Sequence, residues 1–119
     1  MTIREILFYE TQTGDFPVIE FLENLSPKEA QKAAWILKLV EEFPIIPSKY
    51  FKKLVNTQDL WEVRIASGGN IYRILGFFDG EMLIVLNHAF QKKTQKTPKQ
   101  AIKVAEQRKK DYLKRGNVK

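Results

Sequence analysis

The chain has 119 residues, no cysteine and a single histidine, His88. Because it lacks cysteine, it cannot form a disulfide, a thiolate nucleophile or a thiolate metal site. One histidine also excludes a zinc motif that needs a pair of them. No apolar run approaches the ~20 residues that a membrane-crossing helix requires. Arg4, Glu5 and Glu10 interrupt the apolar residues of the N-terminus, so we expect no signal peptide and a cytoplasmic protein.

The composition favours one folded domain. Hydrophobic residues make up 44% of the chain and aromatic residues 12%, which is too apolar for a chain that is disordered overall. The length suits one domain with a real core, and no repeat, low-complexity block or Gly/Ser linker divides it. We expect residues 1–119 to form a single domain.

The positive charge is concentrated in the last quarter of the chain. The net charge is +6, but residues 1–90 carry 9 Lys or Arg against 12 Asp or Glu, whereas residues 91–119 carry 11 against 2. Such an asymmetry indicates a polyanion or an acidic partner. A solvated helix face with a basic tail is the alternative.

The hydrophobic patterns predict an α+β domain with the element order β-α-α-β-β-β-α. A first strand covers residues 2–9. Asp15 as N-cap and Pro17 in the first turn predict a short amphipathic helix. The sequence Ser26-Pro27-Lys28-Glu29 is a capping box that opens a second helix, which Pro44 stops.

Three strands follow, over residues 60–66, 70–78 and 81–90. A turn at 67–70 joins the first two, and Asp79-Gly80 is a strong signal for a two-residue hairpin loop between the last two. A capping box that begins at Thr97 opens a final helix, which runs to about Leu113. We therefore expect an antiparallel sheet with helices packed on it.

Tight loops also predict which side chains meet on the sheet. A loop at Gly68-Gly69 places Arg64 directly opposite Arg73. The Asp79-Gly80 loop places Arg73 opposite Leu86 and puts His88 diagonal to Arg73. Arg64, Arg73 and His88 are then expected on one face of the sheet.

The two faces of this predicted sheet differ in composition. The face without the arginines offers a core surface for the helix pair: Trp61, Val63, Ile65, Tyr72, Ile74, Leu83 and Val85. The face with the arginines is apolar only toward the Asp79 end, where it carries Leu75, Phe77, Met82 and Ile84.

Two arginines directly opposite each other repel, at a cost of roughly a few tenths of a kcal/mol or more, so a negative group should compensate them. Glu62 is the internal candidate, because it lies on the same face two residues from Arg64. A bound phosphate is the external candidate, since arginine forks match phosphate oxygens.

Cations and aromatic rings alternate beyond His88. If the last strand extends, Phe90 and Lys92 join the same face, and Lys93 and Lys96 follow. Cations for the backbone and rings for base stacking are what single-stranded RNA binding needs. Lys52 and Lys53, ahead of the strands, could close the opposite wall.

Each candidate also has a purely structural interpretation. His88 fits a half-buried strand histidine, and Arg64 and Arg73 taken singly fit surface ion pairs. Phe90 fits the core as well as a stacking platform. A solvated helix face would account for a set of lysines: Lys96, Lys99, Lys103, Lys109 and Lys110.

These residue types can cleave RNA without a metal. The 2′-OH attacks the adjacent phosphorus if a base removes its proton and a cation stabilises the developing charge. A lysine or histidine whose pKa is lowered by neighbouring arginines could be that base.

The runs LWEVRIASGGNIYRILGFFDG and LNHAFQKKTQKTPKQAIKVAEQRKKDYL resemble the phage-derived HigB-like (Gp49-like) branch of the RelE/ParE toxin superfamily. The resemblance covers nearly the whole chain and is most specific at HAFQKKTQKTP. It implies a RelE-like fold and the toxin of a type II toxin–antitoxin system. Such toxins are endoribonucleases that cleave mRNA on the ribosome and need no metal or other cofactor.

Carried onto this chain, the resemblance implies that Arg64 and Arg73 hold phosphate and that His88 and Lys92 are the acid and base candidates. Lys53 and Lys93 would bind the RNA backbone. The implied partners are mRNA on the ribosome and a helix-turn-helix antitoxin. Two other functions share this fold or this charge pattern: a ParE-like toxin that inhibits DNA gyrase, and a nucleic-acid-binding phage regulatory module without catalysis.

Overall fold

A computed structural model of the protein describes residues 2–116, and within that range it contains five strands and three helices. The strands are β1 (Glu5–Phe8), β2 (Phe51–Lys53), β3 (Trp61–Ser67), β4 (Asn70–Asp79) and β5 (Leu83–Gln91). The helices are α1 (Pro17–Glu23), α2 (Pro27–Glu42) and α3 (Lys99–Gly116). This confirms the predicted α+β class. The sequence did not predict β2, whose three residues are too few to show a pattern.

The strands form one sheet in the order β1-β5-β4-β3-β2. Strands β2 to β5 pair antiparallel, as expected for a meander. Strand β1 instead lies parallel to β5, with Glu5 opposite Leu83. Parallel neighbours need a long crossover, and here the whole chain between these two strands provides it. No helix in the described range is long and apolar enough to cross a membrane.

The predicted hairpin between β3 and β4 is confirmed. Ser67 pairs with Asn70, so the loop is Gly68-Gly69. Both glycines have positive φ, 57° and 84°, as a two-residue loop of this twist requires. Arg64 therefore lies directly opposite Arg73.

The predicted pairing of β4 with β5 is wrong in detail. Asp79 pairs with Leu83, so the loop has three residues instead of two. A β-bulge then interrupts the pairing beside Leu75 and Gly76. Beyond it, Arg73 lies opposite Phe90 instead of Leu86.

The longer loop and the bulge together leave His88 on the predicted face. His88 lies opposite Leu75, two residues from the Arg73–Phe90 pair on the same side of the sheet. Four apolar residues before the bulge lie on the face opposite to the predicted one. Leu83 and Val85 pack with Leu75, whereas Ile84 and Leu86 pack in the opposite core.

Two apolar layers enclose the sheet. Helices α1 and α2 cover one face, where the largest buried residues are Val18, Ile36, Val40, Val63, Ile65, Ile74, Ile84 and Leu86. Helix α3 covers only part of the other face, through Ala101 and Ala105 over Leu75, Phe77 and Val85. The rest of that second face carries the arginines.

The helix starts agree with the predictions in one case and differ in another. At the start of α2, the Ser26 hydroxyl accepts a hydrogen bond from the Glu29 backbone N–H at 3.2 Å. The Glu29 carboxylate accepts one from the Ser26 backbone N–H at 3.1 Å. The predicted capping box is therefore confirmed. The N-cap of α1 is Phe16, not Asp15. The Asp15 carboxylate instead accepts from the Thr13 hydroxyl at 3.0 Å.

Gly76 is required at the bulge, because a Cβ atom there would collide with the carbonyl oxygen of Val85. We expect Gly76→Ala to lower the free energy of unfolding by about 1–3 kcal/mol, the usual cost of overpacking. Urea denaturation measures the change. Gly68→Asn is the control: it meets no atom within 4 Å, and asparagine tolerates positive φ, so a similar loss there would contradict the steric explanation.

Candidate active site

The uncovered part of the α3 face is a cationic surface at the Gly68-Gly69 end of the sheet. A cleft of about 510 Å³, which we call the main cleft, opens there. It is lined by Arg64, Ile71, Lys92, Lys93, Thr94 and Gln95. A smaller cleft of about 170 Å³, the inner cleft, adjoins it and is lined by Lys49, Arg64, Ile65, Ala66, Ile71 and Arg73. Arg64 lines both clefts.

Glu62 compensates the two arginines, as expected from its position. One carboxylate oxygen, Oε1, lies 3.4 Å from Arg64 Nε and 3.6 Å from Arg73 Nε. The other oxygen accepts a hydrogen bond from the Thr97 hydroxyl at 3.2 Å. Neither Nε atom has a hydrogen-bond partner, so the carboxylate holds the pair through charge. Glu62 is buried, which strengthens that attraction.

The two arginines differ in exposure. The Arg64 side chain is 29% exposed, and its Nη1 donates to the Ser48 carbonyl at 3.3 Å. The Arg73 side chain is only 7% exposed. Burial lowers the pKa of Arg73, Glu62 opposes this effect and Arg64 adds to it. Arg64 is therefore the arginine that an incoming anion meets first, with Arg73 behind it.

Lys92 lies at the rim of the main cleft, where its backbone N–H bonds to Ile71. Partial burial lowers the pKa of its ammonium group, and so do the charges of Arg73 and Arg64, while Glu62 acts in the opposite direction. A lysine in this setting releases its proton more readily than a free one, which suits a general base or acid.

His88 has a different environment, under α3. Its Nδ1 lies 3.4 Å from Arg108 Nη1, and its ring stacks on Phe90 at 5.6 Å between centroids. Burial, and to a lesser extent the charge of Arg108, lower the pKa of His88 to about 4. The imidazole is therefore neutral at neutral pH. The structure brings Arg64, Arg73 and Lys92 together, whereas His88 shares their sheet face but lies under α3 and lines neither cleft.

The other predicted RNA-binding residues are more scattered. Lys93 lines the main cleft, and Phe90 packs against the α3 core. Lys96 is exposed in the segment before α3. Lys53 forms an ion pair with Asp59 at 3.1 Å. The register pairs Lys52, not Lys53, with Glu62, so Lys52 is the residue of this pair that shares the arginine face.

One protein-family model matches most of this chain. The model of the family described as phage derived protein Gp49-like (DUF891) matches residues 20–110. The chain belongs to the Gp49-like family. This family is toxin-like and belongs to the RelE/HigB-like toxin superfamily, which fits a toxin role and suggests an antitoxin partner. No curated protein matches the chain.

Two cations of the candidate site were not predicted from the sequence. Arg108 continues the buried stripe of Ala101 and Ala105 along α3, and an arginine in an apolar stripe is a signal that it has a buried partner. Its Nη1 donates to the Asn87 carbonyl at 2.8 Å. Lys49 lines the inner cleft, but its segment has no pattern that places it there.

We expect Glu62→Gln to lower the free energy of unfolding by about 3 kcal/mol, because it leaves the arginine pair without its buried counter-charge. Denaturation in urea measures the loss. Glu81→Gln, at an exposed loop residue, removes the same charge and should change stability by less than about 0.5 kcal/mol. Equal effects at both positions would contradict the role given to Glu62.

The lowered pKa of His88 predicts a loss of stability in acid. His88 takes up a proton near pH 6.5 in the unfolded chain and only near pH 4 in the folded protein. The stability that neutral His88 contributes to the folded state is therefore complete above about pH 6.5 and is lost as the pH falls to about 4. Across this range, we expect the wild type to lose up to about 3 kcal/mol relative to His88→Gln. Urea denaturation of both proteins from pH 7 to 4 measures it, and parallel curves would contradict the shift.

Proposed function

We propose that this protein is the HigB-like toxin of a type II toxin–antitoxin pair, a metal-independent endoribonuclease that cleaves mRNA on the ribosome. Membership of a toxin-like family supports the toxin role. The observation that carries the nuclease role is the arginine pair beside Lys92, at clefts that a phosphate can enter. RNA supplies both that phosphate and a 2′-OH nucleophile.

In this proposal Arg64 and Arg73 bind the scissile phosphate. Their Nε atoms face Glu62, and each Nη1 donates to a backbone carbonyl, that of Ser48 for Arg64 and that of Tyr72 for Arg73. These contacts orient both guanidinium groups, and the Nη2 atoms bind oxygens of the substrate. As the 2′-oxygen attacks phosphorus, negative charge grows on the phosphate oxygens. Arginines already oriented toward that charge stabilise it without a reorganisation cost.

Lys92, with its lowered pKa, serves as the base that takes the 2′-OH proton. The 2′-oxygen then forms a bond to phosphorus, and the bond from phosphorus to the 5′-oxygen breaks. The proton taken up by Lys92 then passes to the leaving 5′-oxygen. His88, whose pKa is about 4, holds no acidic proton at neutral pH, so it enters this step only as a relay that accepts the proton at one ring nitrogen and donates from the other. The products are a 2′,3′-cyclic phosphate and a 5′-hydroxyl.

The partners follow from the same surface. The cationic clefts bind mRNA presented by the ribosome in the cytoplasm, and Lys93 and Lys96 hold the RNA backbone. The antitoxin, a helix-turn-helix protein, inhibits the toxin by covering the main cleft. An acidic segment of the antitoxin would meet the most favourable potential there.

We expect Arg64→Ala to lower the rate of mRNA cleavage by about 10²–10³-fold, the usual effect of removing one group that stabilises transition-state charge. The protein is induced in cells, and new mRNA 5′ ends and the rate of protein synthesis are measured. The change affects a partly exposed side chain, so the fold should persist in circular dichroism spectra.

Lys99→Ala is the matched control, because Lys99 is an exposed cation that lines neither cleft. It should retain full cleavage. A wild-type protein that leaves mRNA intact while DNA supercoiling changes would overturn the nuclease proposal in favour of gyrase inhibition. A protein without any effect on growth would overturn the toxin proposal itself.

A further inference from the structure

The two clefts of the candidate site continue into a third. This outer cleft has a volume of about 460 Å³ and is lined by Lys28, Gln31, Lys32, Ala66, Ser67 and Gly68. Ala66 lines both the outer and the inner cleft, as Arg64 lines both the inner and the main cleft. The three clefts therefore adjoin one another in a row near the end of the β3–β4 hairpin, and we call this row the path.

All the charged side chains that line this path are cationic: Lys28, Lys32, Lys49, Arg64, Arg73, Lys92 and Lys93. The nearby Glu29 carboxylate already accepts hydrogen bonds at its Oε2, from Tyr72 at 2.6 Å and from Asn70 at 3.1 Å. A path with charge of one sign and several cations in sequence fits the backbone of a polyanion.

An exposed aromatic pair lies beside this path. Trp35 of α2 is 48% exposed, although large aromatic side chains are usually well covered. Its ring contacts Tyr50 edge-to-face, with 5.4 Å between centroids. Lys32 Nζ lies 5.5 Å from the Trp35 ring and Lys49 Nζ lies 4.9 Å from the Tyr50 ring. Cations that line the outer and inner clefts thus flank the two rings.

The aromatic pair is fixed to the candidate site through the backbone. The Arg64 N–H donates to the Tyr50 carbonyl at 2.8 Å, and the Arg64 guanidinium donates to the carbonyl of Ser48. Lys49 and Tyr50 therefore keep their places relative to Arg64. A chain bound at Arg64 in the inner cleft also has Lys49 beside it, next to Tyr50.

We propose that the three clefts and the Trp35–Tyr50 pair form an extended binding track for single-stranded RNA, in which a base beyond the cleavage site stacks on Trp35. Phosphates bind the lysines, and the exposed indole face takes the base. This combination of a cationic groove with aromatic platforms is what unpaired nucleic acid requires. The proposal rests on the proposed function for its substrate, but it assigns contacts outside the residues that perform the cleavage.

Tryptophan fluorescence tests whether RNA contacts Trp35. The chain has two tryptophans, Trp35 and Trp61, so replacing Trp61 leaves Trp35 as the only one that fluoresces. Trp61 lines none of the three clefts and stacks on Phe51 against the core under α1 and α2. The Trp61→Phe protein therefore reports Trp35 alone, and the Trp35→Phe protein reports Trp61 alone. Single-stranded oligouridylate with 2′-O-methyl riboses binds without being cleaved. We expect it to quench the first protein and to leave the second unchanged.

Matched substitutions on the same helix test the energetics. Trp35→Ala should weaken binding of this oligonucleotide about 5- to 150-fold, the range found for loss of one stacked base. Phe43→Ala also removes an exposed ring, 51% exposed at the end of α2, and should have no effect. Lys32→Ala should weaken binding and reduce its dependence on salt, whereas Lys38→Ala, at an exposed residue outside the clefts, should do neither.

In cleavage assays, Trp35→Ala should raise KM and leave kcat unchanged, because Trp35 contacts RNA away from the reacting phosphate. Quenching of Trp35 by RNA would support the track even if the wild type cleaves no RNA. If the wild type cleaves mRNA but RNA does not quench Trp35, the track is wrong and the nuclease stands. Quenching by a protein partner alone, with none by RNA, would also overturn the track.

Discussion

The candidate site depends on one buried carboxylate between two arginines. Antiparallel pairing forces Arg64 and Arg73 to lie side by side, and without a counter-charge this arrangement is repulsive. Glu62 supplies that charge through one oxygen and binds Thr97 through the other. The same group thus stabilises the sheet and attaches the segment before α3 to it. This segment is the wall of the main cleft, so the shape of the cleft and the orientation of the arginines have a common origin.

The surrounding charges follow from that arrangement. The single carboxylate of Glu62 cannot neutralise three positive charges, those of the two arginines and Lys92. The surface at the clefts therefore keeps a net positive charge. Burial, together with this positive charge, lowers the pKa of Lys92. His88 has its pKa lowered chiefly by burial under α3. The two groups are therefore shifted in environments that differ in kind: Lys92 by the arginine pair as well as burial, and His88 by the α3 layer.

The sequence predicts local features of this protein well and long-range features poorly. The Gly68-Gly69 loop fixes its own hairpin, so the Arg64–Arg73 pair could be derived from a few residues. The β4–β5 pairing could not, because its bulge depends on Gly76 approaching Val85 and on contacts from α3. The environment of His88 depends in the same way on Arg108, twenty residues later in the chain. The Asp79-Gly80 signal also predicted a loop one residue too short, so a strong turn signal does not by itself fix the register.

The parallel pairing of β1 with β5 also constrains the order of folding. Strand β1 precedes the other four described strands, yet its partner in the sheet is β5, the last of the five. Until β5 has left the ribosome, residues Glu5–Phe8 have no neighbour with which to pair. Contacts between such distant segments form slowly, since a long loop must close first. The sheet is therefore completed only after β5 has been synthesised, and a nascent chain that is released before that point lacks both β5 and the cleft beside it.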